Sequence, residues 1–237
     1  MRIAMWSGPR NLSTAMLYSF AARGDMAVVD EPFYAAYLAQ TGLQHPMQAQ
    51  ILASQPTDPQ DVINHLLGPV PGGKPHFYQK HMAQHMIDGV PRDWLGKMRN
   101  VMLIRHPARV AASFSAKYDN PQLADIGFVQ QLEIHQQLAA EGAAPVVIDS
   151  ADIRQNPEEM LRRLCDALGL DWTARMLHWP EGGHADDGVW AAHWYGAVHR
   201  STGFAGPEGP LPALDGARAA LADAALPVYE ELRAVAI

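Results

Sequence analysis

A chain of 237 residues, 48% hydrophobic and 18% charged, has the length for one large α/β domain or two small ones and the composition of a soluble globular protein. Its 18 Lys and Arg against 25 Asp and Glu give a net charge of -7, which argues against nucleic acid and anionic membrane as partners, since both call for a broad basic surface. The lone cysteine, Cys165, has no intramolecular disulfide partner, no apolar run is long enough to span a bilayer, and no secretory leader is visible, so a cytoplasmic setting is expected.

Arg2–Trp6 reads as a buried strand, broken by Gly8 and Pro9; Ser13 or Thr14 can cap a helix that runs to about Arg23, where Gly24 stops it. Ala27–Asp30 is a second strand, Phe33–Gln40 a helix, and Thr57–Leu67 a helix with Thr57 or Asp58 as its N-cap. His76–Lys80 and Asn100–Arg105 are strand candidates, followed by helices over Pro107–Ala116 and Asp125–Glu141. Pro145–Asp149 is a further strand and Asn156–Leu168 a well-patterned helix that buries Cys165. Strands alternating with helices predict an α/β three-layer sandwich, a mostly parallel central sheet with helices on both faces and its ligand beyond the carboxyl ends of the strands. From about residue 171 the texture turns Gly- and Pro-rich before an Ala-rich helix over Gly216–Ala236. One domain with an irregular C-terminal part is expected, the loop from Thr202 being lid-like.

The junction Ser7-Gly8-Pro9-Arg10-Asn11-Leu12-Ser13-Thr14 lies between the first strand and the first helix. Free backbone N–H groups and the positive helix end suit a phosphate there, Arg10 can add a bidentate contact, and the two hydroxyls can donate. A capped βα turn with a surface arginine would read the same way. The ATP-type loop G-x-x-x-x-G-K-[ST] is not met, because Leu12 stands where its second glycine would fall and no lysine follows.

This loop resembles that of the sulfotransferases that use 3′-phosphoadenosine-5′-phosphosulfate, whose first phosphate motif reads roughly Pro-Lys/Arg-Ser-Gly-Ser/Thr-Thr. The resemblance implies that Gly8, Pro9, Arg10, Asn11, Leu12, Ser13 and Thr14 form the loop around the 5′-phosphosulfate, with Asn11 and Leu12 departing from the pattern. The family's second motif is an apolar strand ending in arginine, then Asn/His-Pro, then a serine eight residues after the arginine. Val101–Arg105, His106-Pro107 and Ser113 fit it, which implies that Arg105 and Ser113 hold the 3′-phosphate. Val147–Ile153, Asn156–Glu159 and Leu161–Cys165, ending at Leu168-Gly169-Leu170, resemble the family's following strand and helix, so the likeness spans roughly the first 170 residues. Arg200, in His199-Arg200-Ser201-Thr202-Gly203, stands for the basic loop that closes over the nucleotide.

The resemblance implies sulfonate transfer to a hydroxyl or amine of a small-molecule acceptor, with no metal required. Arg10 is the expected clamp on developing charge. Glu31, at the end of the second strand, is the favoured general base; Lys80 and His81, which resemble a Lys-x-His segment but are adjacent here, are the second choice. His85, four residues after His81, could share a helix face with it, a spacing that permits a metal pair, but no third ligand suggests itself and ordinary burial is the favoured reading. A kinase-like phosphotransferase and a non-catalytic nucleotide-binding protein are the competing readings. A homodimer is left open, and the acceptor is expected to be chosen by loops 40–74 and 179–214.

Overall fold

The computed structural model describes residues 1–116 and 118–237. Five parallel strands form its sheet in the order β2-β3-β1-β4-β5: β1 (Arg2–Ser7), β2 (Met26–Asp30), β3 (His76–Met82), β4 (Arg99–Ile104) and β5 (Val146–Asp149). Parallel strands covered on both faces carry apolar side chains on both, and β1 shows this directly. Ile3 and Met5 enter one core with α1 (Ser13–Ala21) and α8 (Pro157–Leu168), whereas Ala4 and Trp6 enter another with α4 (Pro59–Leu67), α6 (Phe128–Ala140) and α11 (Gly216–Arg233). The result is the expected sheet between two helical layers.

Local chemistry sets several helix ends. Asp58 caps α4 by accepting from the Gln60 and Asp61 amides, with Pro59 in the first turn. Asp149 caps α7 (Ser150–Gln155), a short helix that precedes α8 and for which there was no expectation. Asn156 caps α8, and Gly169 ends it in the left-handed conformation. The expected helix over 125–141 is divided: Leu123–Ile126 is a tight turn, Gly127 is left-handed at φ 71, and α6 begins only at Phe128. A Cβ on Gly127 would crowd Gln84, so the break also marks where this turn packs on the end of β3. Two helices flank the second strand, α2 (Tyr34–Thr41) and α3 (Gln48–Ser54), of which α3 had no expectation. Beyond α8, α9 (Ala191–Trp194) and α10 (Gly196–His199) are single turns, and residues 204–215 carry no regular secondary structure. No helix among the described residues is long and apolar enough to cross a membrane.

The strand order places β1 between β3 and β4. The chain leaves β1 toward one edge, returns as β3, and crosses to the other side as β4. That reversal opens a crevice at the carboxyl edge. Ser7, Asp30, Met82, Ile104 and Asp149 all end their strands there, so the residues following them share one rim.

Candidate active site

A cavity of about 430 Å³ opens on this rim, lined by the loop 9–15, Glu31, Lys80, His85, Arg105 and Arg154, with Tyr195 and Glu208 from the C-terminal part. The loop after β1 follows a glycine-like course without glycine. Arg10 and Leu12 both have positive φ, 66 and 75, flanking Asn11. For L-residues this conformation costs of order 1 kcal/mol each, and such strain concentrates at ligand sites. Alternation of this kind turns successive N–H groups toward one concavity that suits an anion. Leu12 is itself the N-cap of α1 and makes no side-chain cap bond, so the expected cap from Ser13 or Thr14 is replaced by a backbone arrangement. Asn11 is fully buried and ties the loop to β4 by donating to the Leu103 carbonyl at 3.3 Å. Gly8 does not line the cavity. A Cβ there would drive into the Ile126 carbonyl oxygen, so its smallness serves packing against the 123–127 turn.

At the end of β2, Asp30 and Glu31 meet Lys80 of β3. Lys80 Nζ lies 2.7 Å from Asp30 Oδ1, 2.7 Å from Glu31 Oε1 and 2.6 Å from the Tyr195 hydroxyl, so its three protons are all used. Tyr195 also lies 2.8 Å from Asp30 Oδ2 and 3.0 Å from Glu31 Oε1, while Trp190 Nε1 donates to it at 3.0 Å. Its single proton can go to only one carboxylate at a time. Glu31 has φ 40, its amide donates to the Lys80 carbonyl, and Gln55 holds its carbonyl at 3.1 Å. Burial, and then the adjacent Asp30, push the Glu31 carboxyl above its ordinary range, while Lys80 opposes that rise. Burial alone would lower the Lys80 ammonium, but the two carboxylates outweigh it and hold the ammonium charged.

Lys80 and His81 part company because both lie inside β3, which runs on to Met82, and successive strand residues face opposite ways. His81 does not line the cavity. Its ring stacks on Trp6 at 4.2 Å, its Nε2 lies 3.2 Å from Gln79 Oε1, and burial pushes its pKa down to about 3. The one-residue departure from the Lys-x-His spacing thus has a physical consequence: the geometry removes His81 from the candidate bases. His85, in the turn after β3, shares no helix with His81; it lies between the rings of Tyr34 and Tyr37, 4.8 Å from each.

The second anion motif is brought to the first. Arg105 Nη1 donates to the Arg10 carbonyl at 2.6 Å, and Arg10 Nε donates to Ser113 Oγ at 2.9 Å. Residues read from sequence as opposite ends of a ligand therefore touch. Arg105 also pairs with Glu208, which accepts from Arg154 at 2.8 Å and pairs with Arg109 Nε at 2.7 Å. Arg200 is exposed and does not line the cavity; Ser201 and Gly203 of the same segment do. Among the described residues no group of three His, Cys, Asp or Glu side chains is placed to hold a metal ion.

Sequence reasoning missed Arg154, Arg109 and Glu208. Arg154 had a signal, since it follows β5 by one helical turn at the carboxyl edge. Arg109 lies four residues after Arg105, in the first turn of α5 (Pro107–Phe114). Glu208 comes from a region without periodicity, and nothing in its neighbourhood points to the rim.

A parallel sheet with cationic groups converging on its carboxyl edge is an architecture suited to an anionic ligand, and comparison makes it specific. The sequence matches the sulfotransferase domain family over residues 1–236, well beyond the segment legible by motif, and the chain belongs to that family. The sulfotransferase domain of the olefin synthase of Synechococcus PCC 7002 superposes with a TM-score of 0.50 at 18% identity, over 94% of each chain. The sulfotransferase domain from the curacin biosynthetic pathway gives a TM-score of 0.52 at 14% identity, over 94% of this chain and 96% of that one. These two share the fold. Two curated relatives from Arabidopsis thaliana, branched-chain-amino-acid aminotransferase-like proteins 1 and 2, are 36% and 35% identical over 236 residues, covering 98% of this chain and 41% of each relative. The chain thus spans about two fifths of the length of those relatives.

Proposed function

We propose that this protein transfers a sulfonate group from 3′-phosphoadenosine-5′-phosphosulfate to a hydroxyl or amine of a small-molecule acceptor. The observation that carries this reading is one cavity joining a strained anion loop, a buried Glu31–Lys80 pair and an arginine cluster. The donor set fits a bisphosphorylated nucleotide, because cations and backbone N–H groups gather at two adjoining places and buried Arg105 Nε has no protein partner. Bound there, the nucleotide supplies the sulfonate and a phosphate leaving group, chemistry that asks for no metal.

The chain's own residues supply the rest. The loop 9–14 with Arg10 holds anionic oxygens, and Arg105, Arg109 and Arg154 hold a second phosphate. Glu31 takes the acceptor proton. Among the described residues both of its side-chain hydrogen bonds fall on Oε1, which leaves Oε2 for an acceptor hydroxyl or amine. A carboxyl raised by burial is a better base near neutrality than an ordinary one. Lys80 positions Glu31 and, through Tyr195, shares its proton network with Asp30. Tyr34, Tyr118, Phe114 and Trp194 give the acceptor side an aromatic wall, which favours an acceptor with an apolar body.

Thermal melting with adenosine 3′,5′-bisphosphate, ATP with magnesium, and AMP tests the reading. Selective stabilisation by the bisphosphate supports it, since a ligand that binds only the folded state raises the melting temperature. Stabilisation by magnesium-ATP alone would replace it with a phosphotransferase. Bisphosphate binding with no transfer to any of a panel of phenols, alcohols and amines would leave a nucleotide-binding protein.

A further inference from the structure

We infer that Glu208 is an internal occupant of the phosphate site formed by Arg105, Arg109 and Arg154, and that an incoming phosphate monoester must displace it. This deepens the nucleotide reading but rests on its own geometry. Glu208 is the one buried side chain in an otherwise exposed segment: its carboxylate is 3% exposed, while residues 205–207 and 209–211 lie open. All three guanidiniums converge on it, two at 2.7 and 2.8 Å. The same arginines hold the flanking backbone, Arg154 Nε donating to the Gly206 carbonyl at 2.9 Å and Arg109 to that of Gly209. Three cations around one carboxylate leave a surplus of two positive charges, and exchange of the carboxylate for a phosphate dianion lowers that surplus to one.

Two further groups are poised for that larger anion. Ser150 is fully buried on the cavity wall at the start of α7, and neither its Oγ nor Arg105 Nε has a hydrogen-bond partner among the described residues. A carboxylate brings two oxygens and a phosphate three, so Glu208 satisfies the site only in part. The segment 204–215 has neither helix nor strand to hold it, and the recorded polar ties of its 205–211 stretch run through these arginines. Displacement of Glu208 therefore frees the segment, and apparent affinity is set by the fraction of molecules in which the carboxylate is out of the way.

Titration calorimetry on the full chain and on Glu208→Gln, with adenosine 3′,5′-bisphosphate, AMP and inorganic phosphate, tests this. Glu208→Gln should bind the bisphosphate at least about fivefold more tightly, with AMP unchanged, because only the bisphosphate competes for the arginines. Bisphosphate should also speed chymotrypsin cleavage at Phe204, Leu211 and Leu214 in the wild-type chain. Should Glu208→Gln fail to fold, Glu208→Asp, one methylene short, gives the same comparison at smaller amplitude. Unchanged or weaker bisphosphate binding in the variant, or protection of the segment by ligand, would make Glu208 a support for the arginines and overturn the inference while leaving the nucleotide reading intact. If the bisphosphate binds neither protein but inorganic phosphate binds only Glu208→Gln, the inference stands and the nucleotide reading fails.

Discussion

Arg105 Nη1 donates to the backbone carbonyl of Arg10 at 2.6 Å, so the strand-end arginine of β4 braces the anion loop of β1 across 95 residues of sequence. Arg10 in turn donates to Ser113, on the helix that Arg105 precedes. The two phosphate motifs are thus one mechanical unit. Arg105→Ala should weaken bisphosphate binding about 10- to 100-fold, the range for a lost charge-assisted contact. Its effect should not add to that of Arg10→Ala: a double-mutant cycle read by calorimetry should show a coupling of about 0.5–3 kcal/mol. Additive effects would mean that the two arginines serve separate ligand groups.

Leu12 holds φ 75 where the resembling motif has glycine, while its side chain packs partly buried against the α1 core. Leu12→Gly removes the strain and loses the packing and some chain entropy, terms of similar size, so stability in urea should stay within about 1 kcal/mol of wild type. Leu12→Val keeps apolar contact but places a β-branched residue in the left-handed region. It should cost about 1–3 kcal/mol and weaken anion binding along with it. If Leu12→Val and Leu12→Gly melt alike, the loop carries no conformational strain.

The layered fold was legible because it rests on local rules: continuous apolar strands, capped helices and alternating order. The placement of Arg10, Arg105 and Glu31 on the cavity was legible because each follows a strand and the carboxyl edge gathers such residues. His81 was misread for an equally local reason. With β3 taken to stop at Lys80, both residues could face the site, whereas the strand runs to Met82 and its pleat sends them to opposite faces. Glu208 and Tyr195 reach the rim from irregular chain after residue 171, where no period ties sequence to direction. Gly8 looked like a phosphate-loop glycine and is a packing glycine. Gly8→Ala should destabilise by about 1–3 kcal/mol as the Cβ meets the Ile126 carbonyl, with the 123–127 turn exchanging amide hydrogens faster.

Glu31→Gln should lower turnover about 10²- to 10⁴-fold, the usual worth of a general base, with bisphosphate affinity kept. The acid limb of the wild-type pH–rate profile should lie above the ordinary carboxylate range, since burial and then Asp30 raise this carboxyl and the base form appears only as pH rises through that raised value. Tyr195→Phe removes a hydrogen-bond partner of the ionised form, and one partner of Lys80 with it, and should move that limb further up. An unchanged profile in Glu31→Gln would place the base elsewhere.

His81→Phe separates structure from chemistry at the same strand. His81 is neutral in the folded chain, its pKa held near 3 by burial against Trp6, Phe33 and Trp94. Below an ordinary histidine value of about 6.5 the unfolded chain binds a proton that the folded chain refuses. Stability from this residue is therefore whole above that pH and falls as pH drops toward 3, by up to about 1.4 kcal/mol per pH unit. Phenylalanine fills the aromatic sandwich and cannot titrate, so urea midpoints of His81→Phe should fall less steeply than wild type between pH 6 and 4. Turnover at neutral pH should persist within about threefold, because the proposed base, Glu31, lines a cavity that His81 does not reach. Loss of turnover with folding intact would restore His81 to the reaction and displace Glu31.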